Sequence, residues 1–81
     1  MARTIGSARH ARLVELLVQA REAAGLTQAE VAARLRRHQP FISNIESGER
    51  RLDLIELLDL TAVVGLDLHQ VVDELQRVPE S

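Results

Sequence analysis

The feature of this sequence that most restricts its fold is a repeated signal for the start of a helix. Thr27 is followed three residues later by Glu30, and Asp53 stands in the same relation to Glu56. In such a capping box, the first side chain accepts a hydrogen bond from a backbone N–H in the first helical turn. The second side chain accepts one from the backbone N–H of the first residue. Each pair precedes apolar residues at helical spacing. The chain is therefore predicted to consist of short helices.

Caps, glycines and prolines divide the chain into five predicted helices. Ser7 caps the first, and Asp67 with Gln70 repeats the capping pattern before the last. Pro40 begins the third, because proline suits the first helical position and moves the preceding residue away from helical angles. No strand-like alternation is present, which favours an all-α fold. The predicted helices cover residues 8–24, 28–36, 40–47, 54–64 and 68–77.

The length and the residue types exclude several classes of protein. Eighty-one residues are enough for one small domain, and the chain has no cysteine for a disulfide or a thiolate zinc site. No apolar run approaches the roughly 18 to 20 residues that cross a bilayer, so neither a membrane span nor a signal peptide is predicted. We expect a cytoplasmic protein with a flexible N-terminal arm over 1–7 and one folded domain over 8–78.

The net charge of −2 hides an uneven distribution of charge along the chain. Residues 1–12 and 34–51 each carry a net charge of +3, whereas residues 52–81 carry −6. A basic stretch neutralises phosphates, and an acidic stretch is repelled by them. If the chain binds nucleic acid, the acidic C-terminal third is predicted to face away from it.

The second and third predicted helices are separated by a link of about three residues, which is helix-turn-helix spacing. Here the chain resembles the phage-repressor and Cro type of bacterial helix-turn-helix regulators, the XRE family. The resemblance covers nearly everything after residue 12 and rests on the segments GLTQAEVAARL, QPFISNIESGERR and GLDLHQVVDEL. It implies a five-helix lambda-repressor-like domain that binds double-stranded DNA through a helix-turn-helix at about 28–47. Ile42 and Ile45 are then the buried side of the third helix.

The resemblance also implies which side chains would meet the bases. Gln39 and Asn44 are predicted to read base edges, because a carboxamide forms two hydrogen bonds to adenine in the major groove. The ring of Pro40 is predicted to touch a thymine methyl group. Ser43 is predicted to bond a base or a phosphate.

Phosphate contacts are predicted on both sides of this reading edge. The turn before the third helix and the residues after it would lie where the duplex backbone passes, and the start of the second helix offers backbone N–H groups. The resemblance further implies that an ion pair between Arg21 and Glu46 fixes the tilt of the third helix. The predicted phosphate-binding residues are Thr27, Gln28, Arg36, Arg37, His38, Arg50 and Arg51.

Arg36 departs from the family pattern. The family usually has glycine at this position of the turn, where a left-handed backbone is favoured. A residue other than glycine costs about 1 to 2 kcal/mol in that conformation. Either this turn differs from that of the family, or the strain is tolerated.

The remaining polar residues do not form a pattern typical of catalysis. His10, His38 and His69 have no second histidine at helical spacing and the chain has no cysteine, so no metal site is predicted. There is no glycine-rich phosphate loop and no recognisable setting for a nucleophile. We expect neither an enzyme nor a bound cofactor.

The fourth and fifth helices carry more apolar residues than a small core needs, which favours a homodimer. The main functional prediction is a transcriptional repressor that binds an inverted repeat as this homodimer. The alternative is a protein-interaction module, such as the antitoxin of a toxin–antitoxin pair, that holds a basic partner with the acidic fourth and fifth helices. A gel shift on the protein's own upstream DNA, with and without a candidate partner, would discriminate between them.

Overall fold

The structure, a computed structural model, describes residues 7–79 and contains five α-helices and no strand within that range. The predicted all-α fold is therefore confirmed. Most of the predicted arm, residues 1–6, lies outside the described range, and Ser7 is the N-cap of the first helix. The helices are α1 (Ala8–Ala23), α2 (Gln28–Arg34), α3 (Gln39–Glu46), α4 (Leu54–Val64) and α5 (Leu68–Arg77).

The helix ends show how local sequence determines these boundaries. Both capping boxes form, at the starts of α2 and α4. Asp67, in contrast, accepts from the N–H of His69 at 2.8 Å, so the predicted reciprocal box with Gln70 is replaced by a simple N-cap. Its ψ of 118° differs from the 164° of Thr27, and its carboxylate meets the second N–H of the helix instead of the third.

The third helix begins at Gln39, one residue before the predicted start, and Pro40 lies in its first turn. Proline is compatible with the first position of a helix, as predicted for Pro40, and with the second, as observed, because the first N–H groups of a helix have no partner within it. The first and second helices end one or two residues earlier than predicted, at Ala23 and Arg34.

The core lies between the helix-turn-helix pair and the helices on either side of it. Ile42 and Ile45 of α3 are 1% and 2% exposed, so the predicted buried side of this helix is confirmed. With that side fixed, the opposite side of α3 must face solvent. The buried apolar cluster consists of Leu17, Val31, Ala32, Ile42, Ile45, Leu60 and Val64.

Two arginines of α1 hold the last helix, α5, against α1. Arg12 forms an ion pair with Glu74 at 3.0 Å, which links α1 to α5. The Nε of Arg9 lies 3.1 Å from the carbonyl oxygens of both Leu75 and Val78, at the C-terminal end of α5. Because the last carbonyls of a helix have no partner within it, this guanidinium stabilises the end of α5.

The turn between α2 and α3 has a left-handed residue that is not glycine. Arg36 has a φ of +56°. Its N–H donates to the carbonyl of Ala33 at 3.1 Å, and the N–H of Arg37 donates to Ala32 at 2.9 Å. This is the Schellman arrangement that Gly25 forms at the end of α1, with a φ of +73°. Of the two alternatives drawn from the sequence, the structure shows the tolerated strain.

Replacing Arg36 with glycine is expected to stabilise the protein by about 1 kcal/mol, because the left-handed strain disappears while the unfolded chain gains some freedom. Urea denaturation followed by circular dichroism measures the change. Arg34→Gly is the matched control, since it makes the same replacement at a helical position and is expected to destabilise by about 1 kcal/mol. An equal loss of stability in both variants would contradict the assigned strain.

Candidate nucleic-acid interface

The outward face of α3 brings the predicted base-reading residues together. Gln39, Pro40 and Asn44 are exposed, and Ser43 is half-buried among them. The hydroxyl of Ser43 donates to the carbonyl of Pro40 at 3.3 Å, which leaves its oxygen able to accept. Two carboxamides and a hydroxyl on one short helix provide both donors and acceptors for the edges of bases.

A chain of hydrogen bonds joins this face to α1 and α2. Arg21 and Glu46 pair with Nε to Oε2 at 2.6 Å and Nη2 to Oε1 at 3.0 Å. The Nε2 of Gln28 donates to the same Oε1 at 2.9 Å, and the Oε1 of Gln28 accepts from Gln39 at 3.5 Å. The position of Gln39 is thus connected through two side chains to the end of α1.

Arg21 is the residue that anchors this chain. Its Nη1 donates to the carbonyl of Leu26 at 2.8 Å, so the guanidinium is bound to the loop before α2 as well as to Glu46. The hydrogen bonds with Glu46 are the main reason that the pKa of Arg21 is raised. The pair predicted from the resemblance is therefore present, and it extends to Gln28, which the sequence did not indicate.

The residues of the predicted phosphate-binding set border this face. Arg36, His38 and Arg51 are exposed, and Thr27 caps α2 at the surface. His38 is the N-cap of α3 but forms no side-chain cap, whereas the other four helices of the described range each have one. We call the side chains around the start and end of α3 the basic rim; they are Arg36, Arg37, His38, Arg50 and Arg51.

Two arginines of the basic rim are held by a cluster that the sequence did not reveal. Their guanidinium carbons lie 4.3 Å (Arg37) and 4.5 Å (Arg50) from the centre of the Phe41 ring. Both guanidiniums also contact Glu56 of α4. We call these four residues the Phe41 cluster. The available sequence signal was the single aromatic residue of the chain, Phe41, which is half-buried.

Glu56 is the acidic member of the Phe41 cluster and also closes the capping box of α4. Its hydrogen bonds with Arg50 are the main cause of a lowered pKa, and the backbone N–H of Asp53 adds to the effect. Because the pKa in the folded protein lies below the ordinary value of about 4.3, ionised Glu56 stabilises the fold above that pH. The contribution is lost as the pH falls through the lowered pKa.

We therefore expect Glu56→Gln to destabilise the protein at pH 7, and we expect this difference in stability to shrink as the pH falls below about 4.3 toward the lowered pKa of Glu56. Glutamine keeps an oxygen for the N–H of Asp53, so the change mainly removes the charge. Urea denaturation between pH 3 and 7 measures the difference in the free energy of unfolding between the wild type and the variant, called the gap below. Glu49→Gln, in the loop between α3 and α4, is the control for a general loss of negative charge. A gap that stays constant with pH would refute the ionic role of Glu56.

The described residues show neither a metal-binding cluster nor a helix that could span a membrane. Between Ser7 and Pro79 no cluster of three or more histidine, aspartate or glutamate side chains could hold a metal ion. In the same range no helix combines the length and apolar character that crossing a membrane requires.

The buried and exposed sides of α3, the tight turn after α2 and the basic rim define a helix-turn-helix DNA-binding domain. The comparison with known families agrees, because the family described as "Helix-turn-helix domain" matches residues 12–75. The chain belongs to this family and is an XRE-type DNA-binding transcription regulator. The family consists of regulators and not of enzymes, as predicted.

Solved structures of other proteins are also similar to the chain. An XRE-family like protein from Pseudomonas syringae pv. tomato str. DC3000 is 48% identical, with a TM-score of 0.80, over 85% of this chain and 84% of that one. The clp gene regulator ClgR from C. glutamicum is 25% identical, with a TM-score of 0.73, over 84% and 86%. A point mutant of the restriction-modification controller protein C.Esp1396I shares the fold at 18% identity, with a TM-score of 0.73 over 89% and 96%. No curated protein matches the chain.

Proposed function

We propose that this protein is a cytoplasmic transcriptional repressor that binds an inverted repeat in double-stranded DNA as a homodimer. The observation that carries the proposal is the exposed edge of α3, where a hydrogen-bonded chain from α1 reaches the carboxamide of Gln39. An α-helix with such an edge fits the major groove. The similarity to ClgR, a regulator of clp genes, and to a restriction-modification controller protein supports a role in regulation.

Gln39 and Asn44 are the proposed base-reading residues. Each carboxamide can pair with the N6 and N7 of adenine, and a correct pair is worth roughly 1 to 3 kcal/mol against a wrong base. Pro40 and Ser43 lie beside them and would contact a thymine methyl group and a base or phosphate. Gln39 reaches Gln28 through one amide hydrogen, so its oxygen and second hydrogen stay available.

The proposed phosphate contacts follow the basic rim and the start of α2. Gln28 would offer its backbone N–H, and its side chain has a second amide hydrogen besides the one donated to Glu46. The backbone N–H of Thr27 donates to Glu30, so Thr27 would contact a phosphate through the hydrogen of its hydroxyl group. The charged candidates of the set are the side chains of the basic rim, Arg36, Arg37, His38, Arg50 and Arg51, of which Arg50 is also paired with Glu56 by two hydrogen bonds. The acidic residues of α5 would face away from the phosphates, whereas Glu56 of α4 lies against two arginines of the basic rim.

Exposed apolar side chains on α4 and α5 support the homodimer. Leu54, Ile55 and Leu58 of α4 are 63%, 64% and 43% exposed, and Val72 of α5 is 45% exposed. Large apolar residues grouped on one helix are typical of a surface that another chain covers. Binding to successive major grooves would require the α3 helices of the two copies to lie about 34 Å apart.

Binding of the purified protein to random and upstream duplexes tests the proposal. We expect one inverted repeat to be selected, with affinity falling by roughly 10³ to 10⁵ between 50 and 200 mM salt. Asn44→Ala is expected to lose roughly 1 to 3 kcal/mol of discrimination at one base pair of each half-site. Gln19→Ala, at an exposed site on α1, is the control. Absence of any preferred sequence, together with capture of a basic protein, would favour the antitoxin alternative.

A further inference from the structure

The two arginines of the Phe41 cluster are bound in different ways. Arg50 donates to both oxygens of Glu56, at 3.0 and 2.9 Å, and to the carbonyl of Arg51 at 2.8 Å. Arg37 reaches the same carboxylate through a single N–H, from Nη2 to Oε2 at 3.4 Å. Arg50 is therefore fixed by a two-pronged pair, and Arg37 is held loosely.

The carboxylate of Glu56 cannot form short hydrogen bonds with both Arg37 and Arg50. The Oε1 of Glu56 also accepts from the N–H of Asp53 at 3.1 Å, and its Oε2 takes the second prong of Arg50. The carboxylate of Glu56 thus contacts two guanidiniums, and the charge of Asp53 acts on Arg50 as well. The 3.4 Å contact of Arg37 is also longer than the roughly 2.7 to 2.9 Å of a strong charge-assisted hydrogen bond.

The Phe41 ring orders Arg37 without using its hydrogen-bond donors. Stacking on an aromatic face leaves the N–H groups of a guanidinium directed outward in its own plane. The side chain of Arg37 is 48% exposed, and the residue belongs to the turn directly before α3. An arginine that is already ordered, exposed and weakly paired loses little conformational freedom when it binds an anion.

We infer that the two arginines have divided roles: Arg37 leaves Glu56 to bind a backbone phosphate from its place on the Phe41 ring, whereas Arg50 stays on Glu56 and positions α3 against α4. This inference rests on the proposed DNA-binding function. A phosphate offers Arg37 two short charge-assisted bonds in exchange for one long bond. Arg50 would have to break three shorter hydrogen bonds to do the same.

The salt dependence of DNA binding separates the two roles. The selected duplex is titrated by fluorescence anisotropy at 50 to 200 mM salt with the wild type, Arg37→Gln and Arg50→Gln. Arg77→Gln is the matched control, because Arg77 also contacts a glutamate, Glu74, at 3.4 Å, but from the end of α5. Thermal unfolding of each variant is measured in parallel.

Arg37→Gln is expected to reduce the slope of log affinity against log salt by about 1.8, which is about 0.9 for the one phosphate contact of each subunit in the dimer. The loss of affinity relative to the wild type should therefore shrink roughly twelvefold between 50 and 200 mM salt. The melting temperature of this variant should stay near that of the wild type. Arg50→Gln is expected to keep the wild-type slope while losing affinity and thermal stability. Arg77→Gln should change neither the slope nor the affinity.

Two results would overturn the division of roles. One is an equal reduction of slope in Arg37→Gln and Arg50→Gln, and the other is a slope for Arg37→Gln that matches Arg77→Gln. Failure of the proposed function would be visible separately, because the wild-type protein would then select no duplex. Phe41→Leu adds a second measurement: it keeps an apolar side chain but removes the ring, and is expected to weaken binding while the slope stays unchanged.

Discussion

Replacing Glu46 with alanine is expected to destabilise the domain by about 3 kcal/mol and to weaken specific DNA binding by roughly 100-fold. The side chains of Arg21 and Glu46 are only 15% and 10% exposed, so the change leaves a guanidinium with little access to water. It also removes the acceptor of Gln28, which in turn contacts Gln39. Urea denaturation gives the stability, and anisotropy on the selected duplex gives the affinity.

A double variant separates the two effects of Glu46. Arg21→Met with Glu46→Leu removes both charges and fills the space with apolar side chains, so most of the stability is expected to return. The affinity for DNA should stay low, because Gln28 still has no carboxylate to hold it. Recovery of wild-type binding in the double variant would show that the ion pair does not position the reading edge.

Placing a charge at Ile55 is expected to produce the second large effect. Ile55→Asp would bury an unpaired carboxylate in the proposed dimer interface, and we expect the protein to sediment as a monomer. Binding to the complete inverted repeat should fall by at least roughly 100-fold, because the second half-site is no longer bound intramolecularly. Ile55 is 64% exposed in the single chain, so folding should be unaffected.

Two comparisons make this result specific to the interface. Gln19→Asp adds the same charge at an exposed position of α1 and is expected to leave both assembly and binding unchanged. On a duplex with one half-site, the monomeric Ile55→Asp variant should bind as well as a single wild-type subunit. A variant that still forms dimers and binds the full repeat at wild-type affinity would locate the interface elsewhere.

The local sequence predicted the helices well, for a physical reason. A cap such as Thr27 or Asp53 acts on N–H groups within three residues, so its effect does not depend on the rest of the fold. The buried side of α3 was predictable because Ile42 and Ile45 must lie on one face of a helix. The pairing of Arg21 with Glu46 was predicted only from the family resemblance, since 25 residues separate them.

The Phe41 cluster and the use of the basic rim were decided only by the tertiary structure. From the sequence, Arg37 and Arg50 were predicted to bind phosphates and Glu56 to cap a helix, and nothing local indicates that all three surround one ring. The sequence likewise showed that α4 is apolar on almost every side. Which of its apolar residues the core covers, and that Leu54 and Ile55 are left exposed, depends on the packing of the other helices, because burial is a property of the assembled chain.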